Sequence, residues 1–138
     1  MAATAQYIAT PRSAVATISA ANTAFDGSGA IVTAFTAGAA GARIERVVVN
    51  ASGNTAAGVV ALFVSTDSAA NTTANTHLYD SIPVTAVTAS ATVPPFSASR
   101  SEANANDKWP LILGPGQTLR ASTTIAQNFR VIPVGGDY

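Results

Sequence analysis

Apolar and polar positions alternate along this chain in short runs, interrupted every few residues by Gly, Asn, Ser or Pro. The strongest stretch is Arg43–Ser65, which holds Val47-Val48-Val49 and Val59-Val60-Ala61-Leu62-Phe63-Val64 on either side of the polar segment Asn50–Gly58. Two apolar runs around a Gly/Asn/Ser cluster predict a β-hairpin with a loop longer than two residues. Side chains alternate across a strand, so Val60, Leu62 and Val64 share one face while Val59, Ala61 and Phe63 share the other. Both faces are apolar, which predicts a central strand covered on both sides.

The same pattern continues in both directions. Upstream, Ala14–Ser19 and Ala30–Phe35 read as strands, the second with Ile31 and Phe35 on one face, and Asp26-Gly27-Ser28-Gly29 is a turn between them. Downstream, His77–Ile82 alternates, and Pro83 closes that strand or places it at an edge. Thr85–Val93 reads as further β structure, and the polar Phe96–Lys108 as an exposed loop. Trp109–Leu113 leads into the turn Gly114-Pro115-Gly116. Thr118–Thr123 then alternates, with Leu119 and Ala121 inward and Arg120 and Ser122 outward. The last strand is Phe129–Val134, where Ile132 and Val134 point away from Phe129 and Val131. If that strand lies at an edge or on the outside of the sandwich, these two side chains are subunit contacts.

Alanine is abundant, yet no window sustains an i, i+3, i+4 apolar stripe, leaving at most one helical turn within Asp67–Asn75. About eight to ten short strands with turn residues between them predict an all-β, single-domain sandwich, jelly-roll-like, over residues 13–138. Residues 1–12 read as an extended N-terminal arm. Its isolated apolar residues Tyr7, Ile8 and Pro11 are expected to dock on the domain itself or on a neighbouring subunit.

Composition sharpens this picture in one respect. At 138 residues the chain is long enough for one core without staples, and 48% of it is hydrophobic. Charged residues are only 10%, less than half the ordinary share, and the formal net charge is zero. Ala, Thr, Ser, Asn and Gly take their place. Such a neutral, small-residue exterior fits a subunit packed against others, and also a secreted domain. The seven basic residues are scattered singly, so no basic stripe points to nucleic acid. No apolar run approaches the roughly 18 residues that span a bilayer, and MAATAQYIATPRS lacks the pattern of a signal peptide. Asn50-Ala51-Ser52 and Asn71-Thr72-Thr73 match the glycosylation acceptor pattern, as chance allows in so Asn- and Thr-rich a chain.

Candidate chemistry is sparse. There is no cysteine, and His77 is the only histidine, so no closed zinc site can be assembled. Asp26-Gly27-Ser28-Gly29 starts like a calcium loop but lacks the later ligands and the closing Glu. The Gly-rich segments lack a phosphate-loop ending, no serine sits in a GxSxG elbow, and no paired carboxylates announce a glycosidase. No catalytic residue, metal or cofactor is expected. Aromatic residues remain, because Trp and Tyr suit interfaces where the ring is buried and its polar atom finds a partner. Trp109, beside Lys108 and Pro110, reads either as core, as a protein contact, or with Tyr79 as a sugar-stacking platform.

Several runs carry a resemblance: Gln6–Arg12, Ile82–Thr88, Leu113–Ser122 and Phe129–Tyr138, the last reading FRVIPVGGDY. Together they resemble small structural proteins of tailed bacteriophages and prophages, through turn and core motifs spanning most of the chain. The resemblance implies a virion role, first as a capsid decoration or cement protein assembled in the bacterial cytoplasm and seated on the phage head. The implied partners are the major capsid protein and copies of itself in a homotrimer, with no nucleic acid and no membrane. A tail, fibre or head–tail joining subunit is the alternative, and a glycan-binding β-domain the second. Expected partner contacts are Tyr7, Ile8, Pro11, Trp109, Ile132, Val134 and Tyr138.

Overall fold

The computed structural model describes residues 7–66, 72–104 and 107–138. Ten strands follow in chain order: β1 (Thr10–Ser13), β2 (Ala16–Ile18), β3 (Val32–Thr36), β4 (Ala42–Ala51), β5 (Gly58–Ser65), β6 (Thr76–Val84), β7 (Ser97–Ser101), β8 (Leu111–Leu113), β9 (Thr118–Thr123) and β10 (Phe129–Asp137). All strand pairs are antiparallel, in two sheets. One runs β1-β10-β4-β7, with β2 also on β10 and β8 also on β4, and the other runs β3-β9-β5-β6. Thr10–Ser13 and Ala16–Ile18 keep one register along β10, so β1 and β2 are a single edge strand broken at Ala14-Val15. Likewise β7 and β8 lie end to end along β4, with residues 102–110 between them in sequence. Eight strand positions therefore remain, four per sheet, in the double Greek-key order of a jelly roll. The expected fold class is the one found.

The predicted hairpin is not found. β4 and β5 lie in different sheets, and among the described residues the only sequence-neighbouring strands that pair with each other are β5 and β6. The turn-rich segment after β4 instead crosses the end of the sandwich. There Thr55 pairs with Val87, its hydroxyl donates to the Thr85 carbonyl (2.8 Å), and the Ala56 N–H donates to the Gln127 side chain (2.8 Å). Hydrogen bonds to distant segments, rather than a reversal of direction, absorb these polar groups. The expected helical turn is a single 3₁₀ turn at Thr73–Asn75, and residues 67–71 of that expectation lie outside the described residues.

A shared core fills the space between the sheets, with Ile44, Val47, Val49, Phe129 and Val131 from one and Val60, Leu62, Ile82, Leu119 and Ala121 from the other. β5 is an interior strand whose two faces are both covered, as its sequence predicts. Ala61 and Phe63 on its outer face are fully buried and form a second cluster with Ile31. The long β2–β3 connection provides this cover. The Asn22 N–H donates to the Thr123 carbonyl (2.7 Å), and its side-chain amide donates to the carbonyls of Ser28 (2.8 Å) and Ala30 (3.3 Å). At the far side Gly27, with φ of 89°, lies so close to β6 that a Cβ there would fall 2.3 Å from the Thr76 carbonyl oxygen. The Asp26 carboxylate accepts hydrogen bonds from the Ser28 hydroxyl (2.5 Å) and N–H (3.0 Å), which lower its pKa below the usual carboxylate range.

Other expectations are corrected by the same tertiary contacts. Arg120 and Ser122 do point outward from β9, yet they are 4% and 2% exposed because that outer face is covered. A register shift between Thr33 and Phe35 puts an extra residue into β3, so Ile31 and Phe35 end on opposite faces. Thr85–Val93 contains no strand, only the isolated bridge at Val87. Ser97–Ser101, expected to be loop, is β7, held by backbone pairing to β4 rather than by any apolar pattern of its own. Pro83 does sit on an edge strand, β6. β10 extends to Asp137 and is interior, between β4 and the β1/β2 edge. It is bulged at Val134/Gly135, where a Cβ on Gly135 would fall 2.0 Å from the Arg43 carbonyl oxygen.

Candidate protein-interaction surface

Each open side of the sandwich is latched by an arginine. On one side Arg12 of β1 donates to the Thr36 carbonyl (2.6 Å) and to the Asp137 carboxylate (3.1 Å), with its guanidinium 4.3 Å above the Phe35 ring centre. Asp137 also accepts the Gly38 N–H (2.9 Å). A groove of about 240 Å3 runs there between β1 and β3, and Arg12 is its only charged lining residue.

The opposite side is closed by a denser cluster. Asp80 of β6 accepts the Trp109 indole N–H (3.1 Å) and the Ser81 N–H (2.8 Å), with Arg100 Nε 3.3 Å and Lys108 Nζ 3.6 Å away. Arg100, on β7, also donates to the Ser81 carbonyl (2.9 Å), so the two sheets are tied together through one carboxylate. The Tyr79 ring meets Trp109 edge-to-face at 5.7 Å, and its hydroxyl donates to the Lys108 carbonyl. Trp109 is 2% exposed. The stacking platform expected of Trp109 and Tyr79 is therefore corrected: the indole belongs to the core, where its N–H finds a buried carboxylate.

Burial, and then the neighbouring Asp80, raise the Tyr79 pKa above its ordinary 10.0. The fold thus favours the neutral phenol. Its contribution to stability is complete below the unfolded value of about 10 and is lost as pH rises through the higher folded value. In alkaline urea titrations the wild type is expected to lose stability more steeply above pH ~10 than Tyr79→Phe does. Parallel curves for the two proteins would count against the Tyr79 contact.

The two outer faces differ. The β3-β9-β5-β6 sheet has its outer face covered over β5 and β9 by the β2–β3 connection, with Leu78 of the β6 edge 45% exposed, whereas no described segment covers the other sheet. On that open face Ile132 stands opposite Val48, and Val48 opposite Ser99. The register kept by β1 and β2 sets Val15, in the break between them, opposite Ile132. Val15 is 62% exposed, and Ile132, Val48 and Val134 are half-buried by their neighbours. An aliphatic row therefore crosses the sheet. On the rows either side stand Arg130, opposite Asn50 and Thr17, and Arg46, opposite Val134 and Ser101. Both arginines are exposed, and among the described residues neither has a carboxylate within 4.0 Å. Glu102 lines a shallow depression with Arg46 without pairing to it.

Of the sequence-nominated contacts, Ile132 and Val134 lie on this open face and Pro11 on its β1 margin, opposite Gly136. Tyr7 is 82% exposed just before β1. Ile8 packs on β10, its Cγ2 2.5 Å from where a Gly136 Cβ would stand. Thr10–Arg12, assigned to the arm, are already part of β1, and residues 1–6 lie outside the described residues. Tyr138 is half-buried at the far end of β10, with its N–H donating to the Gly41 carbonyl (3.2 Å). Sequence reasoning missed Val15, Val48, Arg46 and Arg130. The alternation Arg46-Val48-Asn50 marks one face of β4, but nothing local says that this face is the uncovered one.

His77 is exposed on β6. Among the described residues no three His, Cys, Asp or Glu side chains are grouped to hold a metal ion, and no helix is long and apolar enough to cross a membrane. Comparison with protein-family models, with curated proteins and with solved structures returned no match.

Proposed function

We propose that this chain is a structural subunit of a tailed-phage virion, a decoration or cement protein that binds the outer surface of the head by protein–protein contact. The observation that carries the reading is the asymmetry of the sandwich. The chain's own β2–β3 connection covers the centre of one outer face, burying Ala61, Phe63, Arg120 and Ser122 and leaving Leu78 of the β6 edge exposed, while the other face presents an aliphatic row that no described segment covers. Sheet faces of soluble proteins do not ordinarily leave such rows to water, and contiguous apolar patches mark interaction sites. Jelly rolls serve both capsids and lectins, so the fold by itself does not choose. The protein-contact reading is supported by the site's aliphatic centre and by the burial of Trp109, whose indole is not free to stack on a sugar. The neutral composition and the virion-protein resemblance of FRVIPVGGDY agree. Many copies on one shell also multiply a small contact energy per subunit.

Counting copies in purified particles tests this. The head reading expects on the order of hundreds per particle, and a few to a few dozen would move the chain to the tail or the head–tail joint. Absence from particles would sink the virion assignment. A truncation lacking residues 1–7 leaves β1 and Arg12 in place, so its stability is expected within about 0.5 kcal/mol of wild type. Its attachment to shells is expected to weaken, because exposed Tyr7 and the residues before it are lost. Attachment indistinguishable from wild type would remove the arm from the contact.

A further inference from the structure

We infer that the open face of the β1/β2-β10-β4-β7/β8 sheet docks a different polypeptide, whose contacting surface is apolar at its centre and acidic at its rim. This rests on the contact-protein reading above and adds the chemistry of the partner. The chain's cations carry the argument. Arg12 is committed to Asp137, Arg43 to Glu45 (2.5 Å), and Arg100 and Lys108 to Asp80. Arg120 is buried. Arg46 and Arg130 are the two left without a carboxylate among the described residues, and both stand on the uncovered face, on opposite sides of the Val15–Ile132–Val48 row. Placed on three adjacent rows, they present two guanidinium forks around an aliphatic strip. A guanidinium binds a carboxylate bidentately and is weakly hydrated, which suits it to interfaces that exclude water.

Two other occupants fit less well. A second copy packed face to face would set the same arginines against each other, and the nearest carboxylates, Glu45 and Glu102, stand around Arg46 at one end of the face and leave Arg130 unmatched. A nucleic acid or sugar would look for stacking rings, and the rows carry none. A protein surface with Asp or Glu flanking an apolar patch answers both features at once.

The test places the photo-crosslinking residue p-benzoylphenylalanine at Val15, the most exposed member of the row, in the full chain within the cells that produce it. The adduct is then identified by mass spectrometry. The expected adduct is with another polypeptide, at a site bearing Asp or Glu. It should fall at least about tenfold in the Arg46→Glu/Arg130→Glu variant, and return when the partner's carboxylates at that site are replaced by Lys. Far-ultraviolet circular dichroism and the urea midpoint of the double variant should match wild type, since both arginines are exposed and unpaired. An adduct between two copies of this chain, an adduct with nucleic acid or glycan, no adduct at Val15, or full adduct yield in the double variant would each overturn the inference. The two readings separate cleanly. Shells that bind wild type and the double variant alike keep the virion role and sink the acidic partner, whereas an acidic partner absent from particles does the reverse.

Discussion

Trp109→Ala is expected to lower the unfolding free energy by about 3–5 kcal/mol, the range for removing a large aromatic from a packed core. Three losses combine in that figure. The indole leaves a cavity in the shared core, the edge-to-face contact with Tyr79 disappears, and Asp80 loses an N–H donor. Trp109→Phe keeps most of the volume and removes the donor, so about 1.5–3 kcal/mol is expected, the range for a hydrogen bond to a charged group. Asp80 would retain Arg100 and the Ser81 N–H, which prevents the larger penalty of a buried charge left alone. Urea unfolding of the three proteins measures both steps. A loss below about 1 kcal/mol for Trp109→Ala would mean that the side chain is on the surface, and would reopen the stacking-platform reading.

Phe63→Ala is the second large effect, also expected at about 3–5 kcal/mol. Its interest lies in where the residue sits: on the outside of a sheet rather than between sheets. Phe63 is buried there only because Ile31 and the β2–β3 connection lie over it. Emptying the site should loosen that connection as well as lower global stability. Amide exchange in residues 20–31 is therefore expected to accelerate more than exchange in β4 or β10. Ile132→Ala on the other outer face is the matched control. With that residue half-exposed and uncovered, the expected cost is at most about 1 kcal/mol. Equal costs at Phe63 and Ile132 would erase the distinction between a covered site and an open one, on which the assignment of the docking surface depends.

Strand identity was legible because it is a local property. β-branched residues at period two, bounded by Gly, Asn and Pro, identify β5, β6 and β9 from a few neighbours each, and Leu119 and Ala121 face inward as their alternation says. β7 was not legible, since SASRS has no apolar alternation and becomes a strand by completing the hydrogen bonds of β4. Alternation also fails across an inserted residue, which is why Ile31 and Phe35 part company at the β3 bulge. The candidate surface was half legible. Ile132 and Val134 were recognised as facing away from the core residues of their own strand, whereas Trp109 was misplaced because its partner, Asp80, lies 29 residues away.

By itself the amino-acid sequence determined that this chain is built of short strands, that β5 has two apolar faces, and that no disulfide or thiolate can take part. Those properties depend on side-chain type and on spacing within a strand. Only the tertiary structure decided which sheet each strand joins, that the β4–β5 turn is a crossing and not a hairpin, and which outer face is left open. A period-two pattern states that a side chain points to one side or the other. What lies on that side is supplied by segments far off in the chain, as Ile31 covers Phe63 and nothing described covers Ile132.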